Sequence, residues 1–273
     1  MIFDVVEYRQ LNSSSSLRRF LSYNLHNYII NRVISKTDNV IVISKFLESF
    51  FANKGVKRIY YYPITFDVAK MPHFNKKNYY NKITFLYAGS PGGKRDLINE
   101  ILIAFSLLNS IEKSKVKLFV CGINRNDLHK EGVTKSTISK IEEFTKILGK
   151  ISKNELYGLM ENINFTLLLK NENMVFSNAG FPTKMAESFS FGIPMLTNLS
   201  GDISIYLEDN FNGFISQSSS AKDFVVVLRK AIHSVEQNQH QFLSKNARAT
   251  ATEKLNTPSY IKSFNNFLNS LEN

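Results

Sequence analysis

The stretch that decides the fold is Ser177-Asn-Ala-Gly-Phe-Pro-Thr-Lys-Met-Ala-Glu-Ser-Phe-Ser-Phe-Gly-Ile-Pro-Met-Leu-Thr197. Asn178 to Gly180 carry turn residues, and Pro182 suits a first helical position, where its missing N–H would be unpaired in any case. Met185, Ala186 and Phe189 recur at helical spacing and put an apolar stripe on a sheet. Gly192 closes the helix, and Ile193 to Leu196 read as a buried strand.

The chemistry follows from that order. Thr183 and Lys184 fall in the first helical turn, where free N–H groups and the helix dipole favour an anion. A lysine is disfavoured there unless an anion compensates it. Glu187 follows one turn later on the same side. A positive helix entrance followed by a carboxylate suits a phosphorylated sugar, with phosphate at the tip and hydroxyls on the acid. An ordinary surface helix with solvated Lys184 and Glu187 fits the same residues.

Working outward, Ile83-Thr-Phe-Leu-Tyr-Ala-Gly-Ser-Pro-Gly-Gly-Lys-Arg-Asp96 reads as strand, Gly-rich turn and helix start. Gly89, Gly92 and Gly93 permit positive φ and close backbone approach to a ligand. Lys94 and Arg95 stand where a phosphate needs countercharge. The spacing is not that of a P-loop, and a tight βα loop fits equally. Strands are expected at Lys115 to Cys121 and at Ile163 to Leu169. Helices are expected at Ser136 to Thr145, Lys153 to Glu161, Ser219 to Ser234 and Gln239 to Leu255, with a loop over Asp127 to Lys135. This alternation from residue 83 onward gives an α/β fold, a parallel sheet with helices on both faces. Ligands of such sheets bind beyond the carboxyl ends of strands, which both the 89–95 and 178–184 loops follow.

Before residue 83, Ile2 to Val6 is a short apolar run, and Leu17 to Lys36 has helical spacing with Leu21, Leu25, Tyr28, Ile29, Val33 and Ile34 on one side. Val40 to Ile43 is a β-branched buried strand, Ser44 a helix cap, and Arg58 to Tyr62 a further strand. The polar run from Thr65 to Lys82 reads as a linker.

Composition narrows the partners. Among 273 residues, 34 are basic and 23 acidic, a net charge of +11 that favours anionic partners. The same balance fits plain solubility in a Lys- and Asn-rich chain. Cys121 is the one cysteine, so no internal disulfide forms, and its apolar run suits a small buried hydrophobe. His26, His73, His129, His233 and His240 lack metal-ligand spacing. No apolar run approaches the roughly 20 residues that span a bilayer, and no signal peptide is visible, so a cytoplasmic location is expected. No zinc-finger or RNA-binding pattern supports a nucleic-acid partner.

The run Gly180-Phe-Pro-Thr-Lys-Met-Ala-Glu187 followed by Gly192-Ile-Pro194 resembles the donor-site signature of retaining bacterial glycosyltransferases of the family 4 type, which have the GT-B fold. Phe3 to Tyr8, the segment from Asp38 to Pro63 and the Asn212-Gly-Phe turn resemble other parts of that family. The resemblance implies a remnant of the N-terminal, acceptor-side domain over 1–66, a linker over 67–82, a donor-binding domain over 83–256 and a terminal helix over 257–273 crossing back. Complete members have a longer N-terminal part. The chain is therefore expected to be a natural truncate, a fragment or one member of a split enzyme.

In the family, the acid matching Glu187 holds the nucleotide ribose, and the loop and helix tip at Gly180, Phe181, Pro182, Thr183 and Lys184 face the pyrophosphate and sugar. The first βα loop, with Gly89, Gly92, Gly93, Lys94 and Arg95, faces the donor phosphates, Lys94 being the best match for the basic residue that reaches them. Many members carry a second Glu eight positions earlier, where this chain has Ala179. The implied reaction moves a sugar from a UDP-, GDP- or dTDP-sugar to a glycan or lipid-linked acceptor in bacterial surface polysaccharide synthesis. It calls for no metal, since fixed cations can neutralise the phosphates. A non-catalytic nucleotide-sugar-binding module that needs a partner chain is the other reading. Helix 17–36 could touch anionic lipid or pack into the N-terminal remnant, and residues 1–62 could support a homodimer.

Overall fold

The structure, a computed structural model, describes residues 1–8, 17–72, 82–91 and 96–271. The first unit comprises β1 (Phe3–Val5), α1 (Leu17–Tyr28), β2 (Asn39–Val42), α2 (Lys45–Ala52) and β3 (Arg58–Tyr61). Its sheet is parallel throughout, with Val40 of β2 opposite both Phe3 and Ile59. Val40 and Val42 are fully buried, as β-branched residues in a sheet covered on both faces should be. Ser44 caps α2 by accepting the Leu47 N–H at 3.2 Å.

Helix α1 departs from the expected packing. Leu21, Leu25 and Tyr28 remain about three-fifths exposed, and the buried contacts come from Ile30 and Ile34. The reason is a π-turn over Ile29–Val33 followed by a 3₁₀ turn over Ile34–Lys36. The wider turn shifts the helical register, so the stripe that runs evenly through the sequence does not stay on one face.

The second unit comprises β4 (Ile83–Ala88), α3 (Ile98–Ser106), α4 (Ser110–Lys115), β5 (Val116–Cys121), α5 (Lys135–Ile141), β6 (Thr145–Gly149), α6 (Lys153–Met160) and β7 (Phe165–Leu167). It continues with α7 (Val175–Ala179), α8 (Thr183–Ser190), β8 (Met195–Asn198), α9 (Ile203–Tyr206), β9 (Gly213–Ser216), α10 (Ala221–Glu236), α11 (His240–Lys254) and α12 (Thr257–Asn269). All six strands are parallel in the order β6-β5-β4-β7-β8-β9. Phe85 and Tyr87 of β4 pack with α3 and α10, whereas Leu86 packs with Met160 of α6 and Phe191 on the other face.

The strand order has a functional consequence. From β4 the chain winds outward through β5 and β6, and from β7 it winds the other way through β8 and β9. The direction reverses between β4 and β7. A crevice opens at such a switch point because the two connections leave on opposite sides.

The units share a core. Val42, Leu47 and Phe51 pack with Phe181, Met185, Phe189, Tyr206 and Leu255. Part of the expected linker belongs to this junction. Phe66 N–H donates to Leu255 O at 2.9 Å, Thr257 N–H donates to Phe66 O at 2.9 Å, and Arg248 holds the Val68 and Met71 carbonyls. Residues 73–81 lie outside the described residues. Helix α12 lays Phe264 and Phe267 against Tyr60 of the first unit, with ring centroids 5.6 and 5.1 Å away.

Three local expectations differ. Thr145 opens β6 instead of ending a helix, Arg125–Glu131 forms 3₁₀ turns in place of a loop, and the turn residues from Asn178 to Gly180 follow or end the short helix α7. Tertiary bonds override the last: Ala179 O accepts Ser44 Oγ–H at 2.7 Å, and Asn178 Oδ1 accepts Gly201 N–H at 3.0 Å.

Candidate functional site

At the carboxyl end of β4 the chain turns through Gly89, whose φ of 150° suits glycine. The end of β5 crowds it: a Cβ on Gly122 would lie 2.5 Å from the Gly89 carbonyl. Gly89 is itself covered by the Lys184 side chain, into which a Cβ at Gly89 would run. The structure thus brings together two sequence candidates 95 positions apart, Gly89 and Lys184.

Lys184 lies in the first turn of α8, and its compensating anion is Asp96. The two form an ion pair in which the Asp96 carboxylate is 7% exposed and the Lys184 side chain 26%. Tyr87 O–H donates to Asp96 Oδ2 at 3.1 Å, and the Lys184 ammonium sits 5.1 Å above the Tyr87 ring. Burial first, then the Asp96 charge, raises the Tyr87 hydroxyl far above its ordinary pKa, so it remains a donor. The backbone at Asp96 is fixed from the far side of the switch point. Asp96 bridges Lys170 just past β7, and Leu97 N–H donates to Leu169 O at 2.8 Å.

Glu187 and Lys184 line the same small cavity with Leu86, Ala88 and Thr166. Burial pushes the Glu187 carboxyl above the usual carboxylate range, while the Tyr157 hydroxyl, Lys153 and Lys184 pull it partly back. A carboxylate in that setting gains from hydroxyl donors that hydrogen-bond its charged form.

The other sequence candidates fall into three groups. Thr183 is exposed at the start of α8, but the N–H groups of Thr183 and Met185 are tied to Phe181 O and Pro182 O, both at 2.9 Å. What this tip offers an anion is chiefly the Lys184 side chain. Phe181 and Pro182 are buried, the Phe181 ring edge-on to Tyr206 at 5.6 Å, and Gly180 is half-buried beside them. They shape the loop from the core side. Gly92, Gly93, Lys94 and Arg95 lie outside the described residues.

Asp96, Tyr87 and Tyr157 were not singled out in the sequence. The available signal for Asp96 was the rule that a lysine at a helix entrance needs an anion, together with its place directly after Lys94-Arg95. Cys121 is buried, and burial raises its thiol to about 11, which leaves it a poor nucleophile. Among the described residues no His, Cys, Asp or Glu group gathers as a metal site. Nor, among them, is any helix long and apolar enough to cross a membrane.

Residues 73–250 match the family of glycosyl transferases group 1. No curated protein matches the sequence. Among solved structures, TarM superposes with a TM-score of 0.73 at 16% identity, over 98% of this chain and 50% of TarM. HepE of Anabaena in complex with UDP and glucose gives 0.71 at 15% identity, over 98% of this chain and 71% of HepE. The lipopolysaccharide outer core galactosyltransferase WaaB, in its apo form, gives 0.67 at 18% identity, over 87% of this chain and 63% of WaaB. The chain spans half the length of TarM and less than two thirds of WaaB. With an α/β fold matching GT-B glycosyltransferases and a family match over residues 73–250, the chain belongs to the glycosyl transferases group 1.

Proposed function

We propose that this chain carries the donor site of a retaining glycosyltransferase of the family 4 type. Its reaction would move a hexosyl group from a nucleotide-diphosphate sugar to a glycan or lipid-linked acceptor in bacterial surface polysaccharide synthesis. The observation that carries the reading is the meeting of Lys184 and Glu187 at the β4/β7 switch point. HepE, solved with UDP and glucose, supports a nucleotide-sugar as the ligand.

In the reaction, the bond between the sugar anomeric carbon and the diphosphate oxygen breaks as the acceptor hydroxyl oxygen bonds to that carbon; the diphosphate leaves with the electron pair and takes up the hydroxyl proton. A fixed cation that meets this charge as it develops lowers the barrier. Lys184 is that cation on α8, and Lys94, with Arg95, is the sequence candidate in the β4–α3 loop. Glu187 accepts ribose hydroxyls and positions the nucleotide without moving a proton. With the phosphates met by lysines, the reading requires no metal.

The assignment of 83–256 to donor binding, of 1–66 to the acceptor side, and of 257–273 to a helix joining the two belongs to the same proposal. So does work at the cytoplasmic face of a membrane. The exposed apolar residues Leu21, Leu25 and Tyr28 on α1, in a chain of net charge +11, suit weak contact with anionic lipid. Co-sedimentation with anionic vesicles at low salt is the expected result, and its absence removes this part.

One observation favours the second reading, a binding module that needs a partner chain. The position where many family members place a second donor-site acid is Ala179, which is fully buried beneath α2. Thermal unfolding with UDP-, GDP- and dTDP-sugars tests the donor site itself. At ligand about 100 times its Kd, stability should rise by roughly 2.7 kcal/mol, and Glu187→Ala and Lys94→Ala should reduce that gain. Release of free nucleotide when acceptor-containing membranes are added marks an enzyme; binding without release marks the module.

A further inference from the structure

We propose that Asp96 is a positioning residue of the donor site, holding the Lys184 ammonium over Gly89 where a diphosphate would meet it. This rests on the donor-site reading above. Tyr87, rigid in β4, donates to Asp96; Asp96 pairs with Lys184; Lys184 covers Gly89 and the Tyr87 ring. The Asp96 backbone is fixed independently by the bridge to Lys170 and the adjoining Leu97–Leu169 bond. Every link up to the ammonium is therefore a buried, strand-anchored group.

The lysine stem is long and flexible, and a free ammonium would sample many positions. An ammonium carries three N–H donors, so pairing with Asp96 leaves donors for phosphate oxygens. A quarter of the Lys184 side chain is exposed, and it lines the small cavity that Glu187 also lines. The pair thus fixes the cation before the ligand arrives, which limits the ordering needed on binding.

The sign of the Asp96 effect separates this role from a spectator's. A carboxylate that merely stood nearby would repel a diphosphate, and neutralising it would tighten binding. A positioning carboxylate does the reverse: neutralising it frees Lys184 and weakens binding. Because Asp96 acts through Lys184, the loss on neutralising it must vanish when the ammonium is gone.

The experiment is calorimetric titration of the full chain with UDP, GDP and dTDP, then with the monophosphate of whichever binds. The proteins are the wild type, Asp96→Asn, Lys184→Met, the double variant and Tyr87→Phe. Asp96→Asn should weaken the diphosphate roughly five- to tenfold, within the range of couplings between contacting residues, and leave the monophosphate nearly unchanged. In the Lys184→Met background that loss should disappear, and neutralising the now unpaired carboxylate should leave diphosphate binding equal or tighter. Tyr87→Phe, which removes the support of Asp96 but no charge, should give a smaller loss in the same direction.

The inference is overturned if Asp96→Asn binds the diphosphate as tightly as the wild type or more so. It is also overturned if the loss persists in the Lys184→Met background, or falls equally on monophosphate and diphosphate, as a purely structural defect would. If the diphosphate binds and only Lys184→Met weakens it, this inference fails while the donor site stands. If none of the three diphosphates binds the wild type, the donor-site reading fails and takes this inference with it.

Discussion

Two buried aspartates sit at two junctions of this molecule, and they are satisfied in different ways. Asp96, at the switch point, is met by the Lys184 ammonium and the Tyr87 hydroxyl. Asp202, between the two units, is met by donors without formal charge: Lys45 N–H at 3.0 Å and Tyr61 O–H at 3.1 Å, with Tyr61 in turn 2.6 Å from the Tyr206 hydroxyl. Burial pushes the Asp202 carboxyl up, and the bonds from Lys45 N–H and Tyr61 only partly offset that. The first arrangement leaves a partly exposed cation whose one hydrogen bond, among the described residues, is to Asp96. The second closes every group on the other unit and offers a ligand nothing. The proposed donor site and a joint between the units thus use the same acid with opposite partners.

The largest effect should come from breaking the joint. Asp202→Ala leaves Lys45 N–H and the Tyr61 hydroxyl without their buried acceptor, and chemical denaturation should show a loss of about 3 kcal/mol. Asp202→Asn keeps an acceptor oxygen and should cost far less, about 1 kcal/mol. A carboxyl whose folded pKa is raised contributes stability that is present at low pH and lost as pH rises through that raised value. The difference between wild type and Asp202→Asn should accordingly be greatest in acid and shrink toward neutrality.

Breaking the site should cost less stability and more binding. Lys184→Met leaves Asp96 paired only with Tyr87, and a loss of about 1–2 kcal/mol is expected because the lysine is partly exposed. If Lys184→Met destabilised the chain more than Asp202→Ala, the contrast between a compensated site and a closed joint would be wrong.

Glu187→Gln should show the smallest stability change and the opposite sign at neutral pH. The Glu187 carboxyl is raised by burial, so its charged form costs stability once pH exceeds its ordinary value. As pH rises through the raised value the Gln variant should gain on the wild type, read from paired thermal melts across pH. Its nucleotide affinity should nevertheless fall about tenfold, since an amide is a weaker acceptor for ribose hydroxyls than a carboxylate.

Much of this was legible in the sequence where the signal was local. The stripe of Met185, Ala186 and Phe189, the stop at Gly192 and the Ser44 cap each depend on neighbours within a turn or two, and the structure places each as its spacing implied. The parallel second sheet followed from the alternation of strands and helices. The pairing of Asp96 with Lys184 was not legible, because the two residues are 88 positions apart and meet only when β4 and β7 are adjacent. The sequence did show that Lys184 needed an anion, and a ligand was the anion expected; the protein supplies one of its own. Likewise the apolar period of α1 reported an amphipathic helix correctly but could not report the π-turn that carries its later residues off the stripe. Helix α7 shows the same limit, since its turn-prone Asn178 is held by bonds from residues far away in the chain.

The most direct test of the account is a crystal structure of the chain with the nucleoside diphosphate that binds it in solution. Phosphate oxygens are expected about 3 Å from the Lys184 ammonium and ribose hydroxyls on Glu187, with the Asp96 pair still in place. A diphosphate bound elsewhere would contradict the account, for example in the open cavity of about 530 Å³ lined by Arg125, His129 and Lys135. So would a diphosphate at β4 that had displaced Lys184 from Asp96.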